Sequence, residues 1–201
     1  MEDSERVTSA PVTLWDRTRE LASREIRETA LRLFTEQGYD ETTIAQIARE
    51  AGVSQRTLFR YFGTKEDLLG GNQDSFRQAV VSTVSKLPAE TGVWEALRAG
   101  LEAVLALHES RDQALARFRL VYATASLRSS WLGKRLLFQE DLLPLIEIRM
   151  DAKVRNKGAK ARAMIATAFA CLDAASMAWV AKGGENDIMD LYDDCLAAVR
   201  G

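Results

Sequence analysis

The chain is poor in residues that interrupt helices and in residues that build metal or disulfide sites. Its 201 residues include 3 prolines, 12 glycines, 2 cysteines and 1 histidine, and 7% are aromatic. Alanine, leucine, arginine and glutamate are abundant, and these residue types favour helices because they lose little side-chain freedom there. The composition predicts an all-α protein, and the 47% hydrophobic content is enough to form a buried core.

The scarcity of metal ligands and thiols excludes several classes of site. A metal would have to bind His108 together with carboxylates and thiols that show no ligand spacing, so we assign no metal and no cofactor. Cys171 and Cys195 lie in helical segments and are expected to be reduced. We find no nucleophile-base set and no glycine-rich phosphate loop, so we do not expect an enzyme.

The ends and the charge distribution point to a cytoplasmic protein with a local basic face. Neither end carries an apolar run that could span a bilayer, and residues 1–12, polar and without periodicity, are expected to form a disordered arm. The net charge is −2, but residues 43–65 hold four basic residues and one acidic residue. Such a face on a weakly acidic protein suits site-specific DNA binding.

Capping signals predict three helices in the N-terminal third. The first ends near Gln37, where Gly38 supplies a left-handed residue. Thr43 and Gln46 form a capping box that begins the second helix, and Ser54 is the N-cap of a short third helix. The apolar positions of these helices are Ile26, Ala30, Leu33, Phe34, Ile44, Ile47, Ala48, Ala51, Leu58 and Phe62.

The tight turn 51–54 between the second and third helices is typical of a helix-turn-helix, which places its second helix in a major groove. The third helix directs Gln55, Arg56, Phe59 and Arg60 outward. Helical hairpins are common, however, and plainer roles exist: Phe59 and Tyr61 could pack the head, Arg60 could be solvated, and Lys65 could pair with Glu66 or Asp67.

The rest of the chain predicts long amphipathic helices. The fourth begins at Thr64 and runs to about Lys86, so it belongs to both the head (13–65) and the body (66–201). Pro144 is expected to kink or interrupt its segment. About nine helices are expected in all, and the body segments after the fourth helix are 92–108, 112–126, 130–153, 159–181 and 186–200.

The stretch TTIAQIAREAGVSQRTLFRYFGTKEDLL, preceded by IRETALRLFTEQGYDETT, resembles the head of the TetR family of transcriptional regulators. The resemblance rests on the aromatic-glycine-aromatic end of the first helix, the turn IA..AGVS, the recognition helix TLFRYF and the following KEDLL. It implies a three-helix DNA-binding head continuous with a larger body for effector binding and dimerisation. It also implies a repressor that a small molecule releases from double-stranded operator DNA.

Position by position, the resemblance implies that Gln55, Arg56 and Phe59 face base edges. The residue types agree, because glutamine bonds adenine bidentately and arginine bonds guanine. Ala45 stands where such proteins often have a longer base-reading side chain, so it could touch only a thymine methyl group. The resemblance implies phosphate contacts, which suit hydroxyls at helix N-termini, from Thr43, Ser54, Thr57, Tyr61 and Lys65.

Two apolar stripes near the C-terminus predict a homodimer. Alanines recur every four residues in one helix, which allows another helix to approach closely, and the last helix has a wide apolar face. The stripes resemble the two C-terminal helices that form the family's four-helix dimer interface. The alternative is a core stripe within one chain. The candidate interface residues are Ala166, Ala170, Ala174, Ala178, Leu191, Cys195 and Val199.

Aromatic residues in the middle helices predict an effector pocket. We expect Phe118, Tyr122 and Phe138 to line it, with Arg119 as a polar anchor, which indicates a hydrophobic or aromatic ligand. Residues of these types more often belong to an ordinary core than to a pocket wall. The alternative is a DNA-binding regulator without an effector, which a body lacking any cavity would favour.

Overall fold

The computed structural model describes residues 13–70, 73–108 and 110–201, and these residues form helices and no strand. The predicted all-α class is confirmed, and the described ranges hold ten helices where about nine were expected in the whole chain. The predicted arm, 1–12, lies outside the described residues. The helices are α1 (Leu14–Gln37), α2 (Ile44–Glu50), α3 (Gln55–Tyr61), α4 (Asp67–Gly70), α5 (Gln73–Lys86), α6 (Val93–Leu105), α7 (Arg111–Ala123), α8 (Ala125–Glu147), α9 (Lys157–Ala181) and α10 (Ile188–Arg200).

Two of the predicted segments differ in detail. The expected fourth helix corresponds to α4 and α5, and residues 71 and 72 between them are outside the described residues. Pro144 does not interrupt its segment, because it lies inside α8, which continues to Glu147. Leu142 and Ile146 flank the proline and are fully buried, so packing offsets the hydrogen bond that a proline removes.

The head has its own hydrophobic core, into which helices of the body also pack. The C-terminus of α1 is fixed by Gly38 at φ +91° and by Tyr39, whose ring centroid lies 4.9 Å from that of Phe34. Leu127 of α8 also belongs to this core. Because the head and the body share this core, packing does not mark a boundary at residue 65, and the predicted boundary remains a prediction. The buried core residues are Ile26, Ala30, Leu33, Phe34, Tyr39, Ile47, Ala48, Leu58, Phe62, Leu68, Leu69 and Leu127.

The body is organised around α9, which packs against α6, α7, α8 and α10. Among the described helices, α9 is long and apolar enough to cross a bilayer by length and composition. One of its faces is buried by the neighbouring helices, through Ala161, Ile165, Ala168 and Ala175. The central position of α9 in the body core accounts for its apolar composition.

Candidate functional site

The second helix of the head is fixed by the predicted capping box. Thr43 Oγ1 accepts a hydrogen bond from the Gln46 N–H (3.2 Å), and Gln46 Oε1 accepts one from the Thr43 N–H (2.7 Å). Ile47 is fully buried and directs this helix into the head core. These bonds satisfy N–H groups that a helix otherwise leaves unpaired, so they define where α2 begins.

Gly52 makes the turn between α2 and α3. Its φ of +65° is left-handed, a conformation that glycine adopts without steric cost. The Val53 N–H donates to the Ala48 carbonyl (2.9 Å) and the Gly52 N–H donates to the Arg49 carbonyl (3.2 Å), which is the Schellman pattern at a helix end. This closed turn sets the direction in which α3 leaves α2.

Helix α3 is anchored on one side and open on the other. Ser54 Oγ accepts from the Thr57 N–H (3.0 Å) and caps the helix, while Leu58 is fully buried. Phe59 is 51% exposed. The residues that the periodicity directs outward are all exposed: Gln55, Arg56, Phe59 and Arg60.

Two of the predicted phosphate-binding residues are held by contacts within the head. Tyr61 is half-buried, and the guanidinium groups of Arg60 and Arg19 lie 5.6 and 5.9 Å from its ring centre. The Lys65 ammonium donates to the carbonyl of Tyr39 and lies 4.2 Å from that ring's centre. These contacts tie Lys65 to the end of α1, and burial there lowers the pKa of its ammonium group.

The remaining predicted DNA-binding residues lie on α2, α3 or their caps. Thr43, Ala45 and Ser54 are exposed, and Thr57 is half-buried. Seven of the ten predicted residues are thus exposed, and their contact with DNA remains a prediction.

Four of the seven predicted dimer residues are exposed, while Leu191 and Cys195 pack partly against the core of the body. Ala166, Ala170 and Ala174 are exposed on α9, and Val199 of α10 is 63% exposed. These three alanines are therefore not part of the core of this chain, and their contact with a second copy stays a prediction. The other predicted interface residues are half-buried: Ala178, Leu191 and Cys195.

Two small cavities lie among the described residues of the body. Cavity A has a volume of about 40 Å³ and cavity B about 50 Å³, each roughly enough for one or a few water molecules. The described residues that line cavity A are Glu66, Leu69, His108, Arg117, Phe118, Val121, Tyr122, Leu127, Ser130 and Trp131. Those that line cavity B are Phe76, Val80, Leu101, Val104, Trp131, Arg135, Phe138, Phe169, Leu172 and Asp173.

The four predicted ligand residues fall in three places. Phe118 and Tyr122 line cavity A with stacked rings 6.2 Å apart, and Phe138 lines cavity B. Arg119 lines neither cavity: it is exposed and borders a surface groove between α1 and α7, so its role as a polar anchor stays a prediction. Successive helical residues point about 100° apart, and Arg117 is the arginine of α7 that lines cavity A.

The side chains of His108 and Tyr122 in cavity A are uncharged near pH 7. His108 Nδ1 lies 3.3 Å from Arg117 Nη1, and because a guanidinium only donates, Nδ1 accepts. Burial, and then the charge of Arg117, lowers the pKa of His108 to about 4, so its ring is neutral near pH 7. Burial likewise raises the pKa of Tyr122 to about 12, so its hydroxyl is protonated.

Cavity B contains a mostly buried ion pair. The Arg135 guanidinium donates to the Asp173 carboxylate, and the two side chains are 17% and 29% exposed. Arg135 also lies 5.8 Å from the centre of the Phe169 ring. Among the residues of the described ranges, no group of three or more histidine, cysteine, aspartate or glutamate side chains is placed to hold a metal ion.

Cavity A borders the helix that follows the helix-turn-helix. Glu66 and Leu69 line it, directly after Lys65, which contacts Tyr39. Burial of the Tyr39 hydroxyl and the neighbouring Glu66 carboxylate raise the pKa of Tyr39. One short segment, 65–69, thus touches both the head core and the cavity. The prediction that the fourth helix belongs to both the head and the body anticipates this shared role, whereas the residues that line the cavity depend on packing between distant segments.

Comparisons with known proteins agree with this geometry. Residues 26–70 match the sequence pattern of the bacterial regulatory proteins of the tetR family. Over 140 residues the chain is 33% identical to the HTH-type transcriptional regulator TcmR of Streptomyces glaucescens, a match covering 66% of this chain and 60% of that protein. The chain spans less than two thirds of the length of the curated relatives it matches.

Solved structures share the fold. One is a transcriptional regulator (TerR/AcrR family) from Aquifex aeolicus VF5, with TM-score 0.57, 18% identity and coverage of 89% of this chain and 98% of that one. Another is FadR from Bacillus subtilis in complex with stearoyl-CoA, with TM-score 0.55, 20% identity and coverage of 87% and 95%. Residues 26–70 thus carry the sequence pattern of the bacterial regulatory proteins of the tetR family, and solved transcriptional regulators share the helical fold over most of the chain.

Proposed function

We propose that this protein is a homodimeric, cytoplasmic transcriptional repressor that binds a pseudo-palindromic operator and leaves it when a small apolar or aromatic effector occupies the body. The observation that carries the proposal is α3, whose buried Leu58 anchors a helix with Gln55, Arg56 and Phe59 exposed. A helix held from one side and polar on the other has the form that major-groove reading requires.

The dimer follows from the size of the reading surface and from the open face of α9 and α10. One seven-residue helix reads too few bases to find a site in a genome, whereas two heads related by a two-fold axis read two half-sites. The exposed alanines, Ala166, Ala170 and Ala174, let the α9 helices of two copies approach closely. Val199, which is exposed on α10, adds apolar area to the same proposed interface.

Effector control is proposed to act through α4. A ligand against Phe118 and Tyr122 would press on Glu66 and Leu69, which share cavity A with them. A shift of α4 would move Lys65 and, with it, α3. Such coupling requires the effector to prefer the DNA-incompetent conformation, typically by about 1–3 kcal/mol. FadR from Bacillus subtilis, solved with stearoyl-CoA, supports a ligand-binding body in this fold.

A regulator without an effector is the second candidate, and the size of the cavities favours it. Small-molecule sites usually enclose about 300–1,000 Å³, whereas cavities A and B measure about 40 and 50 Å³. An effector in cavity A or cavity B would therefore have to enlarge that cavity.

Selection of duplex DNA from a random pool by the full-length protein tests the DNA-binding proposal. We expect a pseudo-palindrome whose half-sites are spaced by about one or more helical turns. Bound pools without any common sequence would contradict it. Effector control is then tested by titrating a stabilising compound with and without operator, because reciprocal coupling must change both affinities by the same factor. Equal affinities in both titrations would leave the effector-free regulator.

A further inference from the structure

An aromatic partition divides cavity A from cavity B. Trp131 lines both cavities, and its ring meets that of Phe76 edge-on at 6.0 Å. The row continues through His108, 6.3 Å from Phe76, to Phe118, 5.6 Å from His108. A second link crosses the same wall, because the Tyr122 hydroxyl from cavity A donates to the Asp173 carbonyl in cavity B (3.4 Å).

The charges in the two walls are balanced. Among the described lining residues, cavity A has Arg117 and Glu66, and cavity B has Arg135 and Asp173. In cavity B the two charges form an ion pair. A charged ligand would either displace one partner of this pair or add an uncompensated charge among aromatic side chains, and both changes are costly in an apolar environment.

We propose that cavities A and B are two halves of one effector site, divided by Trp131 when the site is empty, and that its ligand is an uncharged, elongated aromatic molecule. This inference rests on the proposed effector control. The rings of Phe76, Phe118, Tyr122 and Phe138 offer faces and edges to an aromatic ligand. Turning Trp131 out of the partition joins the two spaces, which are each too small for even one ring.

The partition also sets the affinity. If Trp131 must move before a ligand can bind, the apparent affinity is the intrinsic affinity multiplied by the fraction of molecules in which the site is open. Removing the Trp131 ring opens the site in advance, so the variant Trp131→Ala is expected to bind an elongated neutral ligand more tightly than the wild type. Trp94→Ala is the matched control, since Trp94 packs against the body core and beneath Arg200 and lines neither cavity.

The experiment measures binding of two probes by isothermal titration calorimetry to the full-length protein. The probes are biphenyl-4-methanol, which is uncharged, and biphenyl-4-carboxylate, which has the same shape and a negative charge. We expect Trp131→Ala to bind the alcohol at least about tenfold more tightly than the wild type, and Trp94→Ala to match the wild type. The carboxylate should bind each protein at least about tenfold more weakly than the alcohol.

Each part of the inference has its own refutation. If Trp131→Ala binds the alcohol no more tightly than the wild type does, the cavities are not halves of one site. The same conclusion follows if neither the wild type nor the variants bind the alcohol. If the carboxylate binds as well as the alcohol, the assignment of an uncharged ligand is wrong. Trp131→Leu replaces Trp131→Ala if the latter does not fold. Operator binding by the ligand-free wild type is measured in parallel, and its absence would refute the DNA-binding proposal instead.

Discussion

Replacing Gly52 with alanine should destabilise the protein through the backbone alone. Gly52 has φ +65°, and a Cβ built there meets no atom within 4 Å, so no clash contributes. The left-handed conformation costs an L-residue about 1–2 kcal/mol, while the stiffer unfolded chain returns about 0.4–1 kcal/mol. The expected net loss of unfolding free energy is about 1 kcal/mol, and the strain falls on the turn that aims α3.

Gly133→Ala is the matched control because it adds the same atom elsewhere. Gly133 lies inside α8, is exposed, and its added Cβ also meets nothing within 4 Å. Alanine in a helix interior is favoured over glycine by about 0.5–1 kcal/mol, so this variant should be more stable than the wild type. Urea denaturation at one fixed protomer concentration measures both. If Gly52→Ala is as stable as Gly133→Ala, the left-handed turn is not needed and the reasoning fails.

Three further predictions concern charge, assembly and pH. Lys65→Ala should weaken binding to specific and random DNA alike and make the salt dependence shallower, measured by fluorescence anisotropy at several salt concentrations; an unchanged salt slope would remove Lys65 from the phosphate contacts. Ala170→Glu should yield monomers in sedimentation, because a charge enters a close helix contact, whereas Ala152→Glu, in the exposed loop before α9, should not; a wild type that is itself monomeric at micromolar concentration would defeat the dimer. His108, whose pKa is lowered to about 4 from 6.5, binds its proton more readily in the unfolded chain, so unfolding free energy should be full above pH 6.5 and fall as the pH drops toward 4; His108→Gln should flatten that dependence in urea titrations, and an unchanged slope would assign it to other groups.

The head was predictable because its signals are local. Gly38, Gly52 and the Thr43–Gln46 box each fix a helix end within a few residues, and the structure has them as predicted. The apolar spacing of Ile26 and Leu58 likewise identified buried positions. Local hydrogen bonding and helical periodicity determine these features without reference to the rest of the chain.

The cavities were only partly predictable because they depend on packing between distant segments. Arg135 and Asp173 are 38 positions apart in sequence, and no periodic pattern connects them. On α7 the prediction chose Arg119 beside Phe118, although Arg117 lines the cavity. Arg117 and Val121 are four residues apart and both line cavity A, and this spacing was the local signal for the arginine that borders it.

The central claim is that α3 reads base sequence, and Arg56→Ala tests it most directly. Arg56 is exposed on the recognition helix, and one bidentate contact to guanine is worth about 1–3 kcal/mol of discrimination. Dissociation constants are measured for the selected operator and for a random duplex at the same salt concentration, with Arg155→Ala as the control, an exposed arginine in the loop before α9. Arg56→Ala should lose about 5- to 150-fold in operator affinity per half-site with a smaller loss on random DNA, and Arg155→Ala should match the wild type. Equal losses of Arg56→Ala on both duplexes would contradict sequence reading by this residue, and no loss on either would contradict the placement of α3 in the groove.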